Sequence, residues 1–141
     1  MSTLSFKRLN DGWNAEPNAP APKVDVNGPQ LRLGFFLNPF AYDAEQEEAG
    51  CLTFGECAMW RLGPANDEGW YAGQCRYSKL APAWGEFYEL IGGDPERTSP
   101  TDWRVPKPRG SGDRHFLFYL RDETFECIAG NWTFERGLAS N

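Results

Sequence analysis

The stretch from Arg114 to Trp132, R-H-F-L-F-Y-L-R-D-E-T-F-E-C-I-A-G-N-W, constrains the fold more than any other part of the chain. Apolar residues recur at every second position on both sides of a short polar turn, and a period of two marks strands rather than helices. Phe116, Phe118 and Leu120 alternate with His115, Leu117, Tyr119 and Arg121; beyond Arg-Asp-Glu-Thr, Phe125, Cys127 and Ala129 alternate with Glu126 and Ile128. A turn centred on Asp122-Glu123 sets Leu120 against Phe125, Phe118 against Cys127 and Phe116 against Ala129, a wholly apolar face. On the other face Tyr119 lies opposite Glu126 and Leu117 opposite Ile128.

The same period recurs along the chain. A short strand is expected over Leu4 to Leu9. Residues 14 to 23 hold three prolines and read as an extended loop. Asn27-Gly28 is a turn signal, and after it Leu31, Leu33, Phe35 and Leu37 share one face while Arg32, Gly34 and Phe36 take the other. Asn38-Pro39 ends that strand. The acidic run 43 to 49 suits one helical turn or a solvated loop. Gly50 to Arg61 alternates, with Leu52, Phe54, Ala58 and Trp60 on one side. Glu56 breaks that side, and Gly55 beside it predicts a bulge. Turn residues fill 63 to 69, a returning strand is expected over Gly69 to Tyr77, a short helical turn over 78 to 83, and a strand over Gly85 to Ile91. Residues 92 to 113 form a long loop with four prolines, its middle pinned by Trp103 and Val105. Seven or eight strands with little helix predict one domain of 141 residues, a mainly antiparallel β-sandwich or partly open barrel, with an α+β layout as the alternative.

Charge narrows the function classes. A net charge of −6 with scattered Lys and Arg argues against nucleic acid; Arg104, Lys107 and Arg109 are the nearest thing to a basic patch. The N-terminus has no apolar run after its charges, and no stretch approaches the ~18 apolar residues of a membrane helix, so a cytoplasmic protein without a membrane segment is expected. Cys51, Cys57, Cys75 and Cys127 show no C-x-x-C pair and no histidine at zinc-ligand spacing, which predicts buried thiols and no metal or other cofactor.

Chemistry built on the single histidine must use His115. The hairpin puts Cys127 on the face opposite to it, so a Cys–His pair with ~3 Å separation does not form within this hairpin. Asp67-Glu68 and Asp122-Glu123 are turn carboxylates, which as exposed groups make poor general acids. Asn66-Asp67-Glu68-Gly69 lacks the ligand spacing of an EF-hand loop. Trp60, Trp70, Trp84, Trp103 and Trp132 either fill the core or line a groove for a flat ligand. No Walker loop, G-x-G-x-x-G, H-E-x-x-H or G-x-S-x-G is present.

Two stretches, C-L-T-F-x-E…R-x-G-P-x-N-D-E (Cys51 to Glu68) and H-F-L-F-Y-L-R-D-E-T-F-E-C-I-A (His115 to Ala129), resemble signatures of small uncharacterised bacterial proteins ending in an H-F-x-F-x-x-x-D-x-T-F-E-C-x-A hairpin. The resemblance implies no reaction and transfers no catalytic residue. Some small acidic bacterial proteins of this kind are immunity partners of secreted toxins, which by analogy makes a basic protein the partner to expect. The leading expectation is therefore a non-enzymatic protein-binding module. Its candidate contacts are Asp67, Glu68, Trp70, His115, Tyr119, Asp122, Glu123 and Glu126. The alternatives are a small-ligand or carbohydrate-binding domain or weak hydrolase using Trp60, Trp70 and His115, and a structural or phage-derived component that self-associates.

Overall fold

The computed structural model describes residues 5–15, 21–38, 48–64, 86–91, 104, 114–120 and 123–136. Nine strands run through them: β1 (Ser5–Arg8), β2 (Lys23–Asn27), β3 (Gln30–Phe36), β4 (Ala49–Gly55), β5 (Met59–Pro64), β6 (Phe87–Ile91), β7 (Arg114–Tyr119), β8 (Glu123–Ala129) and β9 (Asn131–Arg136). They build two antiparallel sheets, a five-stranded one in the order β1-β6-β7-β8-β5 and a four-stranded one in the order β2-β3-β4-β9. The result is a β-sandwich with no closed barrel, and no helix lies among the described residues. Among those residues, accordingly, no helix is long and apolar enough to cross a membrane. The expected strands or turns at 69–77 and 78–83, the acidic run 43–47 and most of the 92–113 loop fall outside the described residues, as do 16–20 of the proline-rich segment and Cys75.

Aromatic side chains from both sheets fill the space between them. Leu31, Leu33, Phe35, Leu52 and Phe54 of one sheet meet Phe87, Phe116, Phe118, Phe125 and Cys127 of the other, all buried. Edge and tilted ring contacts cross the interface, with Phe35 5.1 Å from Phe118, Phe54 5.2 Å from Phe116 and 5.6 Å from Phe125. Offset and edge geometries suit the ring quadrupole and add to the area term. Trp13, from the segment after β1, closes one end of this layer. It stacks on Phe134 at 3.9 Å and also touches Phe35, Phe87 and Phe118, so one ring ties both sheets together. Gly50 is required there: a Cβ would lie 2.9 Å from both Leu37 and Phe134.

Four local expectations are corrected. The turn between β2 and β3 sits one residue later than Asn27-Gly28. Asn27 pairs with Gln30, and Gly28 takes φ 60° followed by Pro29; proline's fixed negative φ allows a positive φ only at the first corner, the type II′ pattern. Residues 50–61 are not one bulged strand. β4 ends at Gly55, Glu56 turns the chain at φ 52°, and β5 continues in the opposite sheet. The buried Cys57 and Ala58 make that crossing, their N–H groups donating to the carbonyls of Pro29 (2.6 Å) and Ile128 (2.7 Å). A ninth strand follows the hairpin. The chain crosses back at Gly130, whose N–H donates to the Gly55 carbonyl at 2.9 Å, and β9 then pairs with β4. Such sheet-switching corners hold sandwich layers together. Finally, the β7–β8 register differs by two residues. Phe116 faces Cys127, Phe118 faces Phe125, Leu117 faces Glu126 and His115 faces Ile128. Faces are preserved, because a slip of two moves no side chain through the sheet.

Candidate functional site

The outer face of the five-stranded sheet carries the chemistry. Strand registers align Arg8, Tyr88, Leu117, Glu126 and Arg61 in one cross-strand row, and Phe6, Leu90, His115, Ile128 and Met59 in the next. Most of this face is buried although it points away from the main core. Tyr88, Leu90, Leu117 and Tyr119 form a second apolar cluster with Phe6 against it, and Phe6 meets Tyr88 edge-on at 5.8 Å.

Glu126 lies in the middle of this layer with no exposed surface. One carboxyl oxygen, Oε1, lies 2.8 Å from His115 Nε2 in a buried hydrogen bond. The other, Oε2, accepts from Arg61 Nη1 at 3.3 Å. Arg61 stands directly opposite Glu126 on β5, whereas His115 is its diagonal neighbour on β7. That diagonal exists only in the observed register; the expected one leaves the two side chains farther apart. A buried carboxylate is costly unless both oxygens are compensated, and here a guanidinium and an imidazole each take one.

A second polar node anchors the first strand. The Asn10 amide nitrogen donates to the Trp13 carbonyl (2.8 Å) and to Glu86 Oε2 (2.7 Å), and its oxygen accepts from the Phe87 N–H (3.1 Å). Asn14 reaches the same Glu86 oxygen at 3.4 Å, and Arg8 lies 3.6 Å from the other. This side chain network sets the path that delivers Trp13 to the core. On the edge of the main core, Glu89 and Arg114 make a two-pronged pair at 2.8 and 2.7 Å. Hydrogen bonding to Arg114 holds the Glu89 carboxyl below its ordinary value, against the opposing effect of burial.

Of the residues expected to make contacts, the structure brings together His115 and Glu126, with Tyr119 on the same face two residues from Leu117. All three are buried, His115 at 7% exposure and the other two at 0%. Glu123 is the first residue of β8, opposite Pro64, and Asp67, Glu68, Trp70 and Asp122 fall outside the described residues. Trp60 and Trp132 are half-buried and pack against the core, while Trp84 and Trp103 fall outside the described residues. The Trp60 backbone pairs with Arg104 through two hydrogen bonds of 2.9 and 2.8 Å, and the Arg104 guanidinium sits 5.7 Å from the indole. Arg61, Asn10 and Trp13 escaped sequence reasoning. Arg61 was visible only as the residue after a core tryptophan, and Asn10 as a polar residue near a strand end.

Cys51, Cys57 and Cys127 are buried, the structural outcome expected for them. Burial first, then the neighbouring Cys57, pushes the Cys127 thiol well above its usual range, which makes it a poor nucleophile. Among the described residues no group of three His, Cys, Asp or Glu is placed to hold a metal ion. The Arg61–Glu126–His115 arrangement can fix side chain orientation and sheet register. To exchange protons with a substrate, it would first have to be uncovered. No protein-family model, no curated protein and no solved structure matches the chain.

Proposed function

We propose that the chain is a non-enzymatic protein-binding module that engages a basic partner through the acidic segments between its strands. The distribution of charge carries this reading. Eight of the 14 Lys and Arg and nine of the 20 Asp and Glu belong to the described residues, a net −1. The other six and eleven give −5, so almost all of the excess charge falls between the described strands rather than on the framework. Segments with an excess of one sign steer an oppositely charged partner and raise its association rate. The burial of His115 and Glu126 in a mutual contact adds support, since both are committed to holding the sheet. The analogy with small acidic bacterial proteins that serve as immunity partners suggests the same class of partner.

The test is co-precipitation of basic proteins from the source cell, run in parallel with a variant carrying Asp67→Lys, Glu68→Lys, Asp122→Lys and Glu123→Lys. A basic partner should be retained at about 50 mM salt and lost at about 500 mM, where the screening length shrinks several-fold. It should also be lost with the fourfold variant. Equal retention by both proteins removes the basis for the reading.

A further inference from the structure

We propose that β2 is a self-association edge, on which a second copy of this chain adds its own β2 antiparallel about a two-fold axis at Val24. The two four-stranded sheets would then run on as one sheet of eight strands. This goes beyond the binding of a basic partner, because its surface, its occupant and its charges are different.

Among the described residues, β2 is paired on one side only, with β3. It is also the most exposed long strand of its sheet: Lys23, Asp25, Val26 and Asn27 are exposed, and Val26 is one of two large apolar side chains among the described residues that are. The hairpin register fixes which backbone groups are available. With Asn27 opposite Gln30 across a two-residue turn, Asn27, Asp25 and Lys23 exchange hydrogen bonds with β3. Val24 and Val26 therefore direct N–H and C=O outward, and the Pro22 carbonyl joins them.

Charge selects one pairing. With the axis at Val24, Val24 faces its own copy, Pro22 faces Val26, and Lys23 faces Asp25 twice over. Two Val24 bonds and two from Val26 N–H to Pro22 carbonyl close the ladder, and Pro22 needs no partner for a donor it lacks. Moving the axis by one residue in either direction places like charges opposite each other, Lys23 on Lys23 or Asp25 on Asp25. Like charges directly opposite destabilise a pair, and opposite charges support it. Lys and Asp on an edge strand normally discourage sheet addition; here their order discourages every neighbouring register and favours one.

The surface is small, so the dimer should be weak and visible at about 100 µM and above. Sedimentation velocity reads it on the full chain. Lys23→Asp should leave the fold intact, since Lys23 faces Gly34 within the chain, and it converts both Lys–Asp pairs into Asp–Asp pairs. Asp25→Lys converts them into Lys–Lys pairs. Each variant alone should raise the dimer dissociation constant by about tenfold or more. An equimolar mixture of the two should dimerise again. The carboxylate introduced at position 23 of one variant then faces the ammonium introduced at position 25 of the other, and the second pair keeps its native charges. Circular dichroism of each variant separates lost pairing from lost folding. Asp25→Lys also meets Arg32 across the hairpin, so Asp25→Asn is the fallback if that variant unfolds, with a smaller weakening expected. A wild-type protein that stays monomeric at about 100 µM overturns the proposal. So does a Lys23→Asp variant that dimerises like wild type, or a mixture that fails to recover. Charge reversal at Asp67, Glu68, Asp122 and Glu123 should leave the dimer unchanged, which separates failure here from failure of the basic-partner reading.

Discussion

The two sheets turn different outer faces to their surroundings. The four-stranded sheet shows Asp25, Arg32, Thr53 and Thr133 in one row, with exposed or half-exposed positions throughout. The five-stranded sheet shows Tyr88, Leu117 and Glu126 in the equivalent place, and there even the carboxylate is buried. β3 accordingly alternates between buried and accessible positions, whereas β7 is buried at five consecutive positions. A strand with one wet face reads as alternation, and a strand covered on both faces reads as an apolar run. The polar residues inside such a run, His115, Glu126 and Thr124, look like surface decoration in the sequence. In the structure all three are buried.

The comparison breaks first at Glu126. Glu126→Ala leaves the half-buried Arg61 and the buried His115 without their shared acceptor, and should cost about 3–5 kcal/mol in urea unfolding. Glu135→Ala, on the exposed face of β9, should stay within about 0.5 kcal/mol. If the two cost the same, the outer faces are not physically different. Replacing the whole set, with Arg61→Met, His115→Leu and Glu126→Leu together, should recover most of the loss or exceed wild type. Apolar packing of similar volume often equals or outperforms a buried ion network, by up to about 4 kcal/mol.

Much of the strand framework was legible because it depends on period alone. β1, β3, β6, β7 and β8 follow from alternation, and so do the buried faces of Leu31, Leu33 and Phe35 and of Phe116, Phe118 and Cys127. The register of β7 against β8 was not, because a slip of two residues leaves the same side chains on the same faces. The contact between His115 and Glu126 depends on that slip, so the core of the candidate site was invisible while its members were in plain view. The crossing at Glu56 to Ala58 was hidden for a related reason. Leu52, Phe54, Ala58 and Trp60 keep one parity because both sheets aim that parity at one shared core. β9 was hidden by its pattern: only Trp132 and Phe134 turn inward, and both remain half-buried.

A smaller effect sharpens the contrast between buried and edge charges. Arg114 lowers the Glu89 carboxyl below its ordinary 4.5, so the pair's contribution to stability is fully present above about pH 4.5. It fades as the pH falls through the lowered folded value. Arg114 is about a third exposed, and solvent screening limits the pair to about 1 kcal/mol or less. Arg114→Gln should therefore be less stable than wild type at pH 7, and the gap in urea midpoint should narrow on acidification to pH 3. A gap that stays constant from pH 7 to pH 3 would show that the loss is one of packing over Phe116, whose ring lies 5.1 Å from the guanidinium.

The smallest effect has the opposite sign. Thr124 sits opposite Tyr119 in the buried outer layer, and its hydroxyl is buried without a hydrogen-bond partner among the described residues. Desolvating a hydroxyl without compensation costs free energy, and removing the group together with its unmet demand relieves that cost. Thr124→Val keeps the branched shape that suits a strand and exchanges the hydroxyl for a methyl. It should raise stability by about 0.5–1 kcal/mol. Thr133→Val, on the wet face of β9, exchanges a hydroxyl already solvated by water and should change stability by less than about 0.5 kcal/mol. Parallel urea titrations of the two variants compare the faces with the same chemical change. A destabilised Thr124→Val protein would mean that the hydroxyl is satisfied in solution, by a water or by a neighbour that turns toward it. The buried outer layer would then be wetter than its apolar cluster of Tyr88, Leu117 and Tyr119 implies.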